Sequence, residues 1–381
     1  MPSPVNYTLT GDIGVIRIDY PPVNALSLAV RQGIMDGLEA AAGDASKAVL
    51  IICEGRTFCA GADISEFGKP PEEPWLPAVV NLIEAFDKPV VAALHGTALG
   101  GGLEVALGAH YRCALASAKL GLPEVRLGLL PGAGGTQRTP RLAGVEAALD
   151  LMTSGVPVSA HTALSAGLVD RVFDDEDLES GAMAWAAELV REGAGPRRAS
   201  ELAIPAHDVG IFDQYRARLA QKARGQVAPQ AIVDCVERAA TTDFVDGETF
   251  ERESFMKLMA GEQSAALRHF FFAEREAAKV DGLEKGAATR AIDSVGIIGG
   301  GTMGGGIAMS FANAGLAVTL VEIDDEALDR GLSIIDRNYM GSVARGKLSE
   351  DTAAANRARI KGSTDYADLA DVDLVIEAVF E

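Results

Sequence analysis

At 381 residues the chain is longer than one ordinary hydrophobic core organises, so two or three domains are expected. With 48 % apolar and 23 % charged residues the composition is globular, and no apolar run approaches the ~20 residues that cross a bilayer. A net charge of −20 speaks against nucleic-acid and anionic-membrane partners, and any polyanionic ligand must be held by local dipoles against the global field.

The first residues, Met1-Pro2-Ser3-Pro4-Val5, have no basic flank and no apolar core, so they do not read as a secretory signal, and a cytoplasmic location is expected. Residues 5–10 and 15–20 alternate apolar and polar around Gly11-Asp12-Ile13-Gly14, which predicts a β-hairpin. Ser27 stands where it can cap a helix carrying Val30, Ile34 and Leu38 on one face. Residues 48–53, 89–94 and 110–116 read as short buried strands, with a helix near 77–86 and a last strand near 169–172. That is an α/β pattern.

After about residue 174 strand-like runs give way to Ala/Glu/Arg-rich helical segments at 182–191, 212–224 and 230–240. Residues 250–280 read as one connecting helix whose Phe270-Phe271-Phe272 cluster must be buried. Residues 282–289 are small and polar, as in a linker, and at Ser294 a new α/β pattern begins. Cys53, Cys59, Cys113 and Cys235 lie in apolar or glycine-rich segments without metal-ligand spacing and read as reduced core thiols.

Three segments of the first part carry residues of chemical interest: Phe58-Cys59-Ala60-Gly61-Ala62-Asp63-Ile64, then Gly96-Thr97-Ala98-Leu99-Gly100-Gly101-Gly102-Leu103-Glu104, then Leu122-Pro123-Glu124 with Leu130-Pro131-Gly132-Ala133-Gly134-Gly135. The second opens a helix, leaving unpaired N–H groups where the helix dipole favours negative charge, and its glycines let an oxygen approach the main chain. Such a place suits an oxyanion. Glu104 reaches the same spot from the first helical turn, and Glu124, held by Pro123 in an extended loop, can add a second carboxylate. A first-turn glutamate is also an ordinary dipole-complementing surface residue, and a glycine turn is often mere geometry. The residues alone leave both readings open.

In order and local context these segments, with Pro22-Val23-Asn24-Ala25-Leu26, resemble the crotonase (enoyl-CoA hydratase/isomerase) family over roughly residues 5–190. The resemblance implies an oxyanion hole from the N–H groups of Ala62 and Gly101, acid–base roles for Glu104 and Glu124, and a water held by the N–H of Gly132. It also implies CoA contacts around Ala60, Asp63 and Ile64, with an acyl-CoA thioester as substrate. Possession of both glutamates fits a hydratase, with isomerisation of Δ3-enoyl-CoA as a second activity.

Further along, residues 294–298 form a strand followed by Gly299-Gly300-Gly301-Thr302-Met303-Gly304, a helix and a second strand that closes on Glu322. Strand, G-x-G-x-x-G, helix, strand and terminal acid together make the dinucleotide fingerprint, and an acid at Glu322 favours NAD over NADP. This part resembles the N-terminal domain of 3-hydroxyacyl-CoA dehydrogenases. That resemblance implies cofactor contacts at Gly299, Gly301, Thr302, Met303, Gly304, Glu322 and Glu381. The family's catalytic His–Glu pair finds no match among His95, His110, His161, His207 and His269, so only the adenosine half-site of NAD is expected here.

The expected organisation is α/β: a crotonase-type ββα spiral over 1–190, a helical segment over 191–290, and a truncated Rossmann domain over 291–381. The whole pattern resembles the N-terminal portion of multifunctional fatty-acid β-oxidation enzymes, which implies a thiolase subunit as a candidate partner, no metal, and a peroxisomal address if a signal lies beyond residue 381. A crotonase-fold isomerase or hydrolase with a nucleotide-binding appendage, or a non-catalytic acyl-CoA- or NAD-binding scaffold, are the alternatives.

Overall fold

In the structure, a computed structural model describing residues 3–66, 69, 72–174, 177–277, 279–280, 282–283 and 287–379, the N-terminal alternation folds as an antiparallel hairpin. Strand β1 (Val5–Thr10) pairs with β2 (Ile13–Ile18) in the register Val5–Ile18 to Thr10–Ile13. The chain forms two compact units, residues 1–279 and 280–381, and the helices between 211 and 277 lie within the first.

Helix α1 (Leu28–Gly43) follows, then β3 (Ala48–Cys53), α2 (Leu76–Ala85), β4 (Val90–Leu94), β5 (Thr97–Leu99), α3 (Gly101–Gly108), β6 (Tyr111–Leu115) and β7 (Lys119–Gly121). After a 3-10 turn at Pro123–Leu127 come α4 (Gly135–Ala143), α5 (Val145–Ser154), β8 (Val158–Ser159), α6 (Ala160–Ala166) and β9 (Arg171–Phe173). The unit closes with α7 (Leu178–Arg191), α8 (Ile211–Lys222), α9 (Ala228–Thr241), α10 (Phe244–Met259) and α11 (Glu262–Ala277).

The main sheet has the order β1-β2-β3-β4-β6-β9, parallel from β2 onward, and β5, β7 and β8 form a smaller second sheet. Strand β3 shows why the sheet is buried on both faces. Val49, Ile51 and Cys53 point into the larger core with α1, α2 and α3, while Ala48, Leu50 and Ile52 meet Leu178, Ala182, Trp185 and Leu189 of α7. Period-two alternation with apolar residues on both sides is the signature of such a central strand. All four cysteines are free and buried.

Four local expectations are corrected. Ser27 stands at the N-cap of α1 but its hydroxyl makes no capping bond. Instead Glu66 Oε1 accepts the N–H of Leu28 at 3.1 Å, while its other oxygen pairs with Arg31. Glu124 sits in a 3-10 turn rather than an extended loop. The single helix expected at 250–280 is two helices broken at Ala260-Gly261. The phenylalanine cluster is not buried: Phe270 is 64 % and Phe272 44 % exposed, and Phe271 stacks on the guanidinium of Arg275.

The second unit runs β10 (Ser294–Ile298), α12 (Thr302–Asn313), β11 (Ala317–Val321), α13 (Asp325–Ala344), α14 (Glu350–Ala358), β12 (Ile360–Ser363) and β13 (Leu374–Glu377). Its sheet has the all-parallel order β12-β11-β10-β13. Val295, Ile297, Val318 and Leu320 pack against Ala308, Ala312, Ile335 and Tyr339 in a separate core. On the β13 edge Leu374 and Val375 remain exposed.

Candidate active site and nucleotide loop

Backbone pairing brings the three segments of the first unit together. Cys59 donates its N–H to the Thr97 carbonyl and accepts from the N–H of Leu99, so the loop after β3 runs beside β5. The N–H of Leu26 bonds to Gly61 O and that of Ala60 to Val23 O, which fastens the Pro22–Leu26 stretch to the same loop. Buried Asn24, at a positive φ of 52°, holds the corner by donating to the carbonyls of Glu54 and Thr57.

The glycine turn then has little freedom. A methyl group at Gly101 would lie 2.6 Å from Leu76 Cδ2 and 3.3 Å from the Ala62 nitrogen, so the two N–H groups named from sequence are neighbours. Among the described residues neither donates a hydrogen bond to a backbone carbonyl. A methyl at Gly100, whose φ of 53° already favours glycine, would come within 3.0 Å of Glu124 Oε1. The small residues therefore open space in front of two backbone donors with a carboxylate at its edge.

Glu104, only 3 % exposed, turns away from solvent to the loop before α4. Its Oε1 accepts the N–H groups of Ala133 at 2.7 Å and Gly135 at 2.9 Å. Oε2 of Glu124 is buried and has no hydrogen-bond partner among the described residues. Burial pushes both carboxyls well above the usual carboxylate range, and the Glu124 charge raises Glu104 further. The two donors at Glu104 pull the other way by favouring its ionised form. Gly132 lies on the same loop, with the Phe255 ring 2.6 Å from where a methyl would sit. Ala60 is exposed, and Asp63 and Ile64 are partly exposed, on the same loop as Ala62.

One group escaped the sequence reading. Glu251 of α10, 1 % exposed, accepts the N–H of Gly134 at 2.6 Å, and its other oxygen accepts the N–H and hydroxyl of Thr136 at 2.9 and 2.5 Å. Burial and the charge of Glu104 raise its carboxyl, against the pull of those three donors. A glutamate inside a charged helix gives no sign of burial. The signal that was present is the row Gly247, Glu251, Phe255, spaced four apart and so on one helix face.

In the second unit the glycine loop is shaped by close backbone approach. A methyl at Gly304 would stand 1.8 Å from Gly299 O, and one at Gly331 of α13 would stand 2.8 Å from Gly300 O. Gly299 has a positive φ of 98°, whereas Gly301, Thr302 and Met303 are exposed at the N-terminus of α12. Glu322, at the end of β11, accepts the N–H of Gly300 at 2.6 Å and that of Ile323 at 3.0 Å. A bare helix N-terminus beside a strand-end carboxylate fits the pyrophosphate and ribose of a dinucleotide. Glu381 lies outside the described residues.

Residues 8–204 match the enoyl-CoA hydratase/isomerase family, and the chain belongs to that family. Residues 294–381 match the NAD-binding domain of 3-hydroxyacyl-CoA dehydrogenase, so the two domains occur in one chain. Over 97 % of its length the chain is 44 % identical to the peroxisomal bifunctional enzyme of Danio rerio, covering 51 % of that protein. It is 36 % identical, over 98 % of its length, to a glyoxysomal fatty acid beta-oxidation multifunctional protein of Cucumis sativus, covering 53 % of it. The chain thus spans about half the length of the curated relatives it matches. Among solved structures it resembles EchA1_1 from Mycobacterium paratuberculosis at 27 % identity and a TM-score of 0.53, covering 71 % of this chain and 96 % of that one. Among the described residues no helix is long and apolar enough to cross a membrane.

Proposed function

We propose that this chain hydrates trans-2-enoyl-CoA to 3-hydroxyacyl-CoA in fatty-acid β-oxidation, with Glu104 and Glu124 as its acid–base pair. The observation that carries the reading is the contrast between those carboxylates beside two unengaged N–H groups. Glu104 has two donors on one oxygen, and Glu124 has a buried oxygen with none. Environments that differ in this way separate the base from the acid.

The thioester carbonyl enters between the N–H groups of Ala62 and Gly101. Charge that develops on its oxygen is stabilised there, each such donor being worth about 3 kcal/mol, and C3 becomes electrophilic. Oxygen Oε2 of Glu104 takes a proton from water as the water oxygen bonds to C3, while the N–H of Gly132 orients that water. Glu124, kept protonated by burial, gives its proton to C2. The C2–C3 double bond is consumed, one water is added, and a proton passing from Glu104 back to Glu124 restores the site.

The unpartnered Glu124 oxygen favours a second activity at the same site. A carboxylate with one free buried oxygen can remove a proton from C2 of a Δ3-enoyl-CoA and return it to C4, which gives the Δ2 isomer. Ala60, Asp63 and Ile64 would meet the CoA nucleotide.

In the second unit NAD would be held through its ADP half: pyrophosphate on the N–H groups of Gly299, Gly301, Thr302 and Met303, close approach at Gly304, and ribose hydroxyls on Glu322. NAD bound there would supply an acceptor for the hydride on C3 of the 3-hydroxyacyl product. In the longer protein class represented by the relatives, that oxidation is the proposed next step. The deciding assay follows loss of the conjugated enoyl-thioester absorbance when crotonyl-CoA is added to the folded protein. Steady loss is expected, and none would overturn the hydratase reading and leave the scaffold alternative.

A further inference from the structure

We propose that Glu251 is a positioning residue of the hydratase site, holding from α10 the loop that aims Glu104; the inference rests on the hydratase reading above. Four successive N–H groups of that loop are shared between two carboxylates. Ala133 and Gly135 donate to Glu104, and Gly134 and Thr136 donate to Glu251. Gly134, at a φ of 89°, gives the backbone the left-handed turn in which neighbouring amides face opposite ways.

Gly134 is also the N-cap of α4 and, having no side chain, cannot cap it. Glu251 supplies that cap from another helix. A buried carboxylate is costly unless its oxygens are satisfied, and three donors satisfy this one. The face of α10 that carries it is fitted along the same stretch of chain. The Phe244 ring lies under Arg138, Gly247 admits the side chain of Gln137, and Phe255 covers Gly132. The groups around the clamp are Glu104 from α3, Glu124 from the 3-10 turn, Arg138 from α4 and Cys235 from α9.

The oxygen usage separates the two glutamates chemically. At Glu104 one oxygen takes both N–H groups, so a glutamine there keeps the loop and loses only the base. At Glu251 both oxygens accept, so a glutamine presents an N–H₂ to a donor and forces the loop to move. Displacing a reacting group by about 1 Å costs on the order of 100-fold.

The test is crotonyl-CoA hydration by Glu251→Gln in the full chain. The expected result is a kcat loss of about 100-fold with KM changed by less than roughly threefold. The acid limb of kcat/KM should move to higher pH, because the displaced loop no longer gives Glu104 the two N–H donors that favour its ionised form. In a Glu104→Gln background the same change should cost little more, since its effect runs through Glu104. Thr136→Val, which removes one of the three bonds, should lower kcat by roughly tenfold. Unchanged kcat and acid limb in the folded variants would overturn the proposal, as would equal loss in the Glu104→Gln background. Should the unaltered protein fail to hydrate crotonyl-CoA, the functional reading falls separately. Carboxyl-carbon NMR titration of Glu104 then decides this inference: a shift to higher pH in Glu251→Gln supports it, and an unmoved titration overturns it.

Discussion

The two glycine turns of this chain open helices in similar ways and serve opposite ends. At Gly100-Gly101-Gly102 the turn is roofed by other elements: Leu76 abuts Gly101, Cys59 abuts Gly102, and the Glu124 carboxylate abuts Gly100. At Gly299–Gly304 the helix N-terminus faces outward, with Met303 74 % exposed, and the constraint is the packing of backbone on backbone beneath it. Enclosure suits the first turn to the proposed chemistry, because charge on a bound oxygen or carboxylate would meet little competing solvent there. Openness suits the second to the proposed docking of a phosphate, which would need only fixed donors there.

The largest expected effect tests the chemistry of the enclosed turn. Glu124→Gln and Glu104→Gln should each lower kcat for crotonyl-CoA hydration by at least ~100-fold, the scale of general acid–base groups. Glu104→Gln should retain Δ3-to-Δ2 isomerisation, and near-unaltered hydration by either purified variant would break the assignment. A second substitution probes the open turn. Gly304→Ala drives a methyl into the Gly299 carbonyl and should destabilise the second unit by about 1–3 kcal/mol. Isothermal titration should show loss of NAD binding with hydration retained; NAD binding equal to that of the unaltered protein would mean that the loop relaxes freely.

A smaller effect concerns pH. Glu104, Glu124 and Glu251 hold their protons to higher pH when folded than when unfolded. Where the native state binds more protons, stability falls as pH rises. Their contribution is therefore full below the ordinary carboxylate range and is lost as pH climbs through the raised folded values. Buried Glu84 acts oppositely: paired with Arg138 its carboxyl is lowered, so its contribution is lost in acid. Urea melts at about pH 5 and about pH 8 should show the first unit weaker at the higher value, and Glu104→Gln should flatten the slope. An equal slope in that variant would show that Glu104 does not carry the charge penalty assigned to it.

Much of this protein was legible in its residues. Period-two alternation marked β1 and β2, short apolar runs marked β3, β4 and β6, and β10 came out with its observed bounds ahead of the glycine fingerprint. Glu104 and Glu124 were visible because each belongs to a local signature with a glycine or proline beside it. The short strands β5, β7, β8 and β12 were not, since two to four residues carry too little periodicity to register. The exposed Phe270 and Phe272 show the converse failure, in which composition demanded burial that packing did not provide.

Sequence alone determined the local geometry: which glycines turn, where helices begin, and which carboxylates lie beside them. These are properties of a few neighbouring residues, set by sterics and by unpaired backbone groups. Only the tertiary structure decided that Leu28 is capped by Glu66 instead of Ser27, that α10 breaks from α11, and that Glu251 meets the loop at 133–136 from more than a hundred residues away. The reason is that buried donors must find acceptors wherever the chain brings them. A contact satisfied across such a distance leaves no pattern in the residues around either partner.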